Sequence, residues 1–141
     1  MSTQATAAYT HETNAPAAAV WALFQDVAHW KTWNEGVFDC QLQGPFAVGS
    51  WMTMVLPDQT VIQSLLVEVT EQQSFTDETR LDDIVVRVQH QISALANGRQ
   101  RITYAIAVEG DGAADICAGV SADFPQVLAA LAAKAEAQAA P

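Results

Sequence analysis

Apolar and polar side chains alternate through the middle of the chain, which is the pattern of half-buried β-strands. The clearest alternation covers residues 85–95, where one row consists of Val86, Val88, His90, Ile92 and Ala94. Comparable stretches follow one another between residues 37 and 110 and are joined by short turns. With a first strand over residues 9–13, they predict an antiparallel sheet of about seven strands.

The dipeptide Asn97-Gly98 is the strongest hairpin signal in the chain. A strict two-residue turn there would place the apolar rows of the two flanking strands on opposite faces of the sheet. A three-residue loop over residues 96–98, with a bulged glycine, shifts the pairing by one residue and puts both apolar rows on the same face. We therefore expect this loop, which sets His90 opposite Tyr104.

Helical patterns stand at both ends of the strand region. A proline-led helix is predicted after Asn14-Ala15-Pro16, and a second short helical segment over residues 27–36. From Asp123 to about Ala137, apolar residues recur every three or four positions, which predicts a long helix capped by Asp123. The glycines between residues 110 and 119 are expected to break the chain before this helix.

The element order predicts an α+β fold in a single domain over residues 1–141. The long helix has an apolar stripe that only the sheet can cover. A twisted sheet of this size curls, so we expect it to wrap around the C-terminal helix, with the two short helices following the first strand.

Composition narrows the classes of partner. The net charge is −10, from 16 acidic and 6 basic residues, and this argues against nucleic acid or an anionic membrane surface. No apolar run approaches ~18 residues, so no membrane span is expected. The N-terminus carries no secretory signal pattern, and Cys40 and Cys117 suit two reduced thiols, which together predict a cytoplasmic protein. Oligomeric state stays open.

Several short motifs occur in a recognisable order along nearly the whole chain. They are Ala15-Pro16 with Val20-Trp21, Trp30-x-x-Trp33-Asn34, Leu42-x-Gly44-Pro45-Phe46, Gln89-His90 and Gly98-x-x-Arg101-Ile102-Thr103. With these motifs the chain resembles the START-like, or SRPBCC, superfamily and its helix-grip fold, closest to the bacterial polyketide cyclase/dehydrase and lipid-transport branch. The resemblance implies a deep cavity between the sheet and the long helix that holds a small hydrophobic molecule. It implies no universal catalytic residues, and we expect no cofactor.

His90 is the candidate catalytic residue because it interrupts an apolar row and its ordinary pKa of ~6.5 suits acid–base chemistry. Facing Tyr104 in an apolar cavity, it could move a proton during a cyclisation or dehydration. The alternative is a core histidine that hydrogen-bonds to Tyr104 or to the backbone. The histidines His11, His29 and His90 are dispersed, so no metal site is expected.

Ligand contacts are expected from aromatic, methionine and aliphatic side chains around the cavity. The candidates are Trp21, Trp30, Trp33, Trp51, Met52, Met54, Val88, Ile106, Leu128, Leu131, Ala132 and Ala135. The alternative for the tryptophans is a simple plug at the open end of the sheet. Because the C-terminal half of the long helix consists mainly of alanine, the cavity is expected beside that half.

The sequence therefore predicts a protein that binds a small lipid, polyketide or similar hydrophobic molecule. One alternative is a cyclase or dehydratase that uses His90. Another is a protein-interaction module whose cavity is vestigial, which a void smaller than ~300 Å³ would favour.

Overall fold

A single seven-stranded antiparallel sheet forms the body of the protein, seen in a computed structural model that describes residues 3–139. The strands are β1 (Gln4–Thr13), β2 (Asp39–Gln43), β3 (Trp51–Val55), β4 (Val61–Thr70), β5 (Ser74–Leu81), β6 (Ile84–Ala94) and β7 (Gln100–Glu109). Their order in the sheet is β1-β7-β6-β5-β4-β3-β2, so β1 closes the sheet beside the last strand. The predicted α+β helix-grip fold is confirmed.

The β6–β7 hairpin has the predicted register, with His90 opposite Tyr104. The amide of Leu95 donates a hydrogen bond of 2.8 Å to the carbonyl oxygen of Arg99, which leaves a loop of three residues. Gly98 has a φ of 83°, a left-handed conformation that glycine adopts without strain. The bulged loop therefore keeps both apolar rows on the same face of the sheet.

The two short helices after β1 also occur where they were predicted. The helix α1 spans Ala17–Gln25, and a 3₁₀ segment spans Val27–Thr32. The inner side chains of both elements, Val20, Phe24 and Trp30 among them, are buried in the main core. These elements therefore close one end of the curved sheet.

The segment after β7 is helical where the glycines were expected to break the chain. The helix α2 spans Ala113–Ser121, begins after Gly112 and includes Gly119, and α3 spans Phe124–Ala139. Only two residues separate α2 from α3. A single glycine inside a helix costs about 1 kcal/mol, which the packing of α2 on β1 and β7 offsets.

By length and composition alone, the 27 residues Ala113–Ala139 could cross a membrane. No membrane span was expected from the sequence, because the glycines of α2 suggested a break where the helix in fact continues. In the structure the large side chains of α3, such as Leu128 and Leu131, are buried against the sheet and α1. This is the packing of a core helix.

The C-terminal half of α3 is fastened to the junction between β1 and α1. The hydroxyl of the buried Thr13 donates a hydrogen bond of 2.6 Å to a carboxylate oxygen of Glu136. Ala132 and Ala135 are buried on the same half of the helix. Small side chains let the backbones approach closely, so these alanines serve close packing and leave no volume for a ligand.

Candidate ligand-binding cavity

A cavity of about 300 Å³ lies between the sheet and the junction of α2 and α3. Strands β3 to β7 supply its floor, and the 3₁₀ segment with the loop after it supplies one side. The apolar part of the lining consists of Trp30, Trp33, Val37, Met54, Leu56, Ile62, Phe75, Leu81, Val86, Val88, Val120, Phe124 and Val127. It is therefore mainly an apolar cavity, in the size range of small-molecule sites.

The cavity lies at the N-terminal half of α3, where Phe124 and Val127 border it. The expectation that it would lie beside the alanine-rich half is wrong. β1 and α1 occupy the space beside Ala132 and Ala135, so the alanines face packed protein rather than a void. The small side chains indicated a close helix contact, which the sequence pattern alone does not distinguish from a cavity wall.

Two cavity-lining side chains are exposed to solvent. Leu81 at the end of β5 is 46% exposed and Val120 near the end of α2 is 42% exposed. Exposed aliphatic side chains that continue into an apolar cavity are typical of a ligand entrance. The mouth therefore lies between the β5–β6 turn and α2.

His90 borders the cavity as the middle member of an aromatic ladder across the sheet. Its ring stacks on Phe75 with a centroid distance of 4.0 Å and meets the Tyr104 ring edge-on at 4.4 Å. Its Nδ1 donates to the carbonyl oxygen of Phe75 at 3.3 Å, because a carbonyl can only accept. Burial lowers the pKa of His90 to about 3, so the imidazole is neutral at pH 7.

Tyr104 brings a hydroxyl group to the cavity wall. The residue is only 3% exposed, and within residues 3–139 its hydroxyl has no hydrogen-bond partner. Phe124 packs edge-on against its ring at 5.3 Å and holds it in place. Among the described residues, the only fully buried side-chain polar atom without a partner is Trp21 Nε1, so the Tyr104 hydroxyl is open to the cavity and can donate or accept a hydrogen bond there.

Asp77 is the polar residue that the sequence analysis missed. It lies on β5 opposite Val88 of β6 and Leu66 of β4, on the cavity face of the sheet. Burial among these apolar side chains raises the pKa of Asp77 to about 7. Among the residues that the structure describes, no side chain hydrogen-bonds to its carboxyl group.

A signal for Asp77 was present in the sequence. The turn at Asp82-Asp83 joins β5 to β6 through two residues, with Leu81 paired to Ile84. Counting back along both strands puts Asp77 opposite Val88, which belongs to the apolar row of β6. The position of Asp77 beside an apolar row was overlooked, because residues 74–81 are polar along most of their length.

The structure brings six of the predicted site residues together around the cavity. They are Trp30, Trp33, Met54, Val88, His90 and Tyr104. The others lie outside the lining: Trp21, Met52, Ile106, Leu128, Leu131, Ala132 and Ala135 are core residues, and Trp51 is 46% exposed. Trp51 precedes Met52 on β3, and strand alternation therefore turns it to the face away from the cavity.

Trp21 illustrates the packing role of the aromatic cluster. Its ring makes edge-on contacts with Phe24, Phe46 and Phe75 at 5.7 to 6.5 Å. In the described part of the chain, its buried Nε1 has no hydrogen-bond partner. Trp21 therefore packs against Phe75 without lining the cavity, while Phe75 itself forms part of the cavity wall.

A second cavity of about 360 Å³ lies between α1, the 3₁₀ segment and the end of α3. Its lining includes Asp26, His29, Thr32, Lys134 and Gln138, which are polar. Trp33 borders both cavities. The first cavity is the candidate site, because its wall is mainly apolar and holds polar groups without partners.

A comparison with protein families matches residues 4–136 to the family described as polyketide cyclase / dehydrase and lipid transport. The chain belongs to this family. Membership confirms the resemblance found in the motifs, and it agrees with a cavity between sheet and helix. A search of curated proteins gives no match.

Solved structures of other members of this fold are similar over nearly their whole length. A START superfamily protein from Mycobacterium smegmatis is 14% identical with a TM-score of 0.75, over 94% of this chain and 98% of that one. Norcoclaurine synthase from Thalictrum flavum, in complex with dopamine and hydroxybenzaldehyde, is 10% identical with a TM-score of 0.77, over 98% and 90%. At these identities the similarity shows the shared fold alone.

Proposed function

We propose that this family member binds a small, mainly apolar molecule in the cavity between the sheet and the α2–α3 junction. The observation that carries the proposal is the apolar cavity of about 300 Å³ with an exposed aliphatic entrance at Leu81 and Val120. Its size suits a ligand of one or two rings, since it equals about ten water molecules at ~30 Å³ each. Family membership supports this class of ligand, and one relative of the same fold was solved with two small aromatic molecules.

Native mass spectrometry of the purified protein is the first test, because a co-purifying ligand identifies itself by its mass. A neutral probe, 2-(2-naphthyl)ethanol, tests the cavity directly in a calorimetric titration. Val88→Phe and Val127→Phe fill the cavity from opposite walls and should each weaken binding of the probe at least about tenfold.

Val48→Phe is the matched control, because Val48 is exposed and does not line the cavity. It should bind the probe like the wild type. The proposal is contradicted if the probe binds all three variants and the wild type equally, or binds none of them.

A cyclase or dehydratase is the second candidate, and the cavity-facing Tyr104 and Asp77 favour it. The neutral His90 accepts a proton poorly at pH 7, whereas a carboxyl group with a pKa of about 7 suits proton transfer at that pH. Incubation of the co-purified ligand with excess protein separates the candidates. Loss of one water, or a change of chromatographic retention at constant mass as a ring closes, in wild type and His90→Gln but not in Asp77→Asn would indicate an enzyme that uses Asp77. A ligand unchanged in both mass and retention indicates a binding protein.

The protein-interaction alternative is the least favoured. A vestigial cavity would be filled by the protein's own side chains, whereas this cavity reaches the volume expected of a ligand site.

A further inference from the structure

The carboxyl groups that line the cavity have no cationic side chain beside them in the lining that the structure describes. Asp77 and Asp123 both line the cavity, and within residues 3–139 no lysine or arginine does. The one histidine that the described residues contribute to the lining, His90, is neutral at pH 7 and already donates its Nδ1 proton to the carbonyl oxygen of Phe75. The cavity therefore presents acidic groups without a compensating cation.

Both carboxyl groups act electrostatically on Tyr104. Asp77 is on the sheet and Asp123 is at the start of α3. Burial raises the pKa of the Tyr104 hydroxyl, and the negative charges of Asp77 and Asp123 raise it further. Within residues 3–139, neither carboxyl group accepts a hydrogen bond from a side chain. Three oxygen-bearing groups, two carboxyl groups and one hydroxyl, therefore lie in the same cavity without a side-chain hydrogen bond to one another.

The other polar side chains of the lining are uncharged, and several of them are hydrogen-bonded within the protein. Ser64 and Thr79 hydrogen-bond to each other at 2.7 Å, and Asn34 accepts from the amide of Gly36 at 2.9 Å. Among the described residues, no three metal-ligating side chains converge, so the acidic groups do not form a metal site. What distinguishes the cavity is therefore a pair of carboxyl groups with no cation beside them, while the remaining hydroxyl and amide groups are uncharged.

We propose that the cavity selects ligands whose polar end is a protonated amine, which Asp77, Asp123 and Tyr104 receive, and that it rejects ligands ending in a carboxylate. This proposal rests on the proposed function, since it names the ligand class of the same cavity. An ammonium group satisfies the unpaired acceptors and neutralises the acidic charge in an apolar environment. A carboxylate would meet two like charges there, which opposes binding.

Three naphthalene ligands that differ at the polar end test the selection: 2-(2-naphthyl)ethylamine, 2-(2-naphthyl)ethanol and 2-naphthylacetic acid. Calorimetric titrations near pH 8 keep the amine protonated and favour the ionised form of Asp77. The amine should bind about tenfold or more tightly than the alcohol, the low end for a hydrogen bond to a charged group. The acid should bind more weakly than the alcohol.

Asp77→Asn should reduce the ratio of amine to alcohol affinity about tenfold, and Asp123→Asn should reduce it in the same direction. Glu71→Gln is the control for net charge, because Glu71 is exposed on the β4–β5 turn and does not line the cavity. It should leave the ratio unchanged. Thermal unfolding of each variant verifies that it is folded.

Equal binding of the three ligands by the wild type would overturn the amine preference while leaving the proposed function standing. An unchanged ratio in both Asp77→Asn and Asp123→Asn would overturn the assignment of the acceptors. Failure of all three ligands to bind would overturn the proposed function, and this inference with it.

Discussion

Asp77, which is half-buried, and His90, which is buried, are two ionisable residues whose pKa values shift in opposite directions. Asp77 ionises near pH 3.8 in the unfolded chain and near pH 7 in the folded protein. His90 moves from about 6.5 to about 3. Between pH 4 and pH 6.5 the folded state therefore holds an extra proton on Asp77, and the unfolded state holds one on His90.

The two shifts have opposite effects on stability. Acidification stabilises the fold through Asp77 and destabilises it through His90, because protons favour the state that binds them. In the wild type these contributions largely cancel. Other ionisable groups also interact with these two residues. Glu68 interacts with His90, and both Tyr104 and Cys40 interact with Asp77. These groups are the same in all the variants compared below.

Single substitutions should expose each contribution. Relative to the wild type, Asp77→Asn should lose stability as the pH falls from about 6.5 to about 4.5, and His90→Gln should gain it. Each slope should differ from that of the wild type by up to about 1.4 kcal/mol per pH unit, the value for one proton. Water in the cavity hydrates the Asp77 carboxylate, so the change of slope should be smaller for Asp77→Asn than for His90→Gln.

Urea unfolding at three pH values measures these slopes. Glu71→Gln serves as the control, because this side chain is exposed on the β4–β5 turn and its curve should parallel that of the wild type. Parallel curves for all four proteins would show that neither residue is desolvated in the way the structure indicates.

At the scale of elements, α3 has two halves with different tasks. Its N-terminal half borders the cavity through Phe124 and Val127, and its C-terminal half packs tightly on β1 and α1. The Thr13–Glu136 hydrogen bond fixes the second half in place. Of the two halves, only the first borders the mainly apolar cavity.

Ala135→Leu should destabilise the protein by about 1–3 kcal/mol, the usual cost of an extra side chain in a packed contact. Ala133→Leu, on the exposed side of the same helix, should change stability by less than about 0.5 kcal/mol. Urea unfolding measures both. If Ala135→Leu folds as stably as Ala133→Leu but no longer binds the naphthyl alcohol, the alanine half is a cavity wall after all.

The sequence predicted elements better than it predicted the contacts between them. Alternation located the strands. The need to keep both apolar rows on one face of the β6–β7 hairpin correctly placed His90 opposite Tyr104. The helix α2 was missed because its glycines were taken as breaks, and this also hid Val120 at the cavity entrance. Periodicity gives the inner face of an element, and it says nothing of which inner residues touch another element and which border a void.

At the scale of the whole molecule, the same limit explains the predicted ligand contacts. Met52, Ile106 and Leu128 face inward as predicted but are packed in the core. Asp77 faces the cavity, and its significance emerges only when three strands and the α2–α3 junction are assembled around it. The acidic composition of the chain argued against anionic partners, and the proposed amine selection would extend that preference to a single ligand.

The central claim is that a small apolar ligand occupies the cavity at the N-terminal half of α3. Nuclear Overhauser effects between bound 2-(2-naphthyl)ethanol and assigned methyl groups test it most directly. We predict contacts with the methyls of Met54, Val88 and Val127, and none with those of Ala132 or Ala135. Contacts with the alanine half, or with exposed residues such as Val48 alone, would contradict the account.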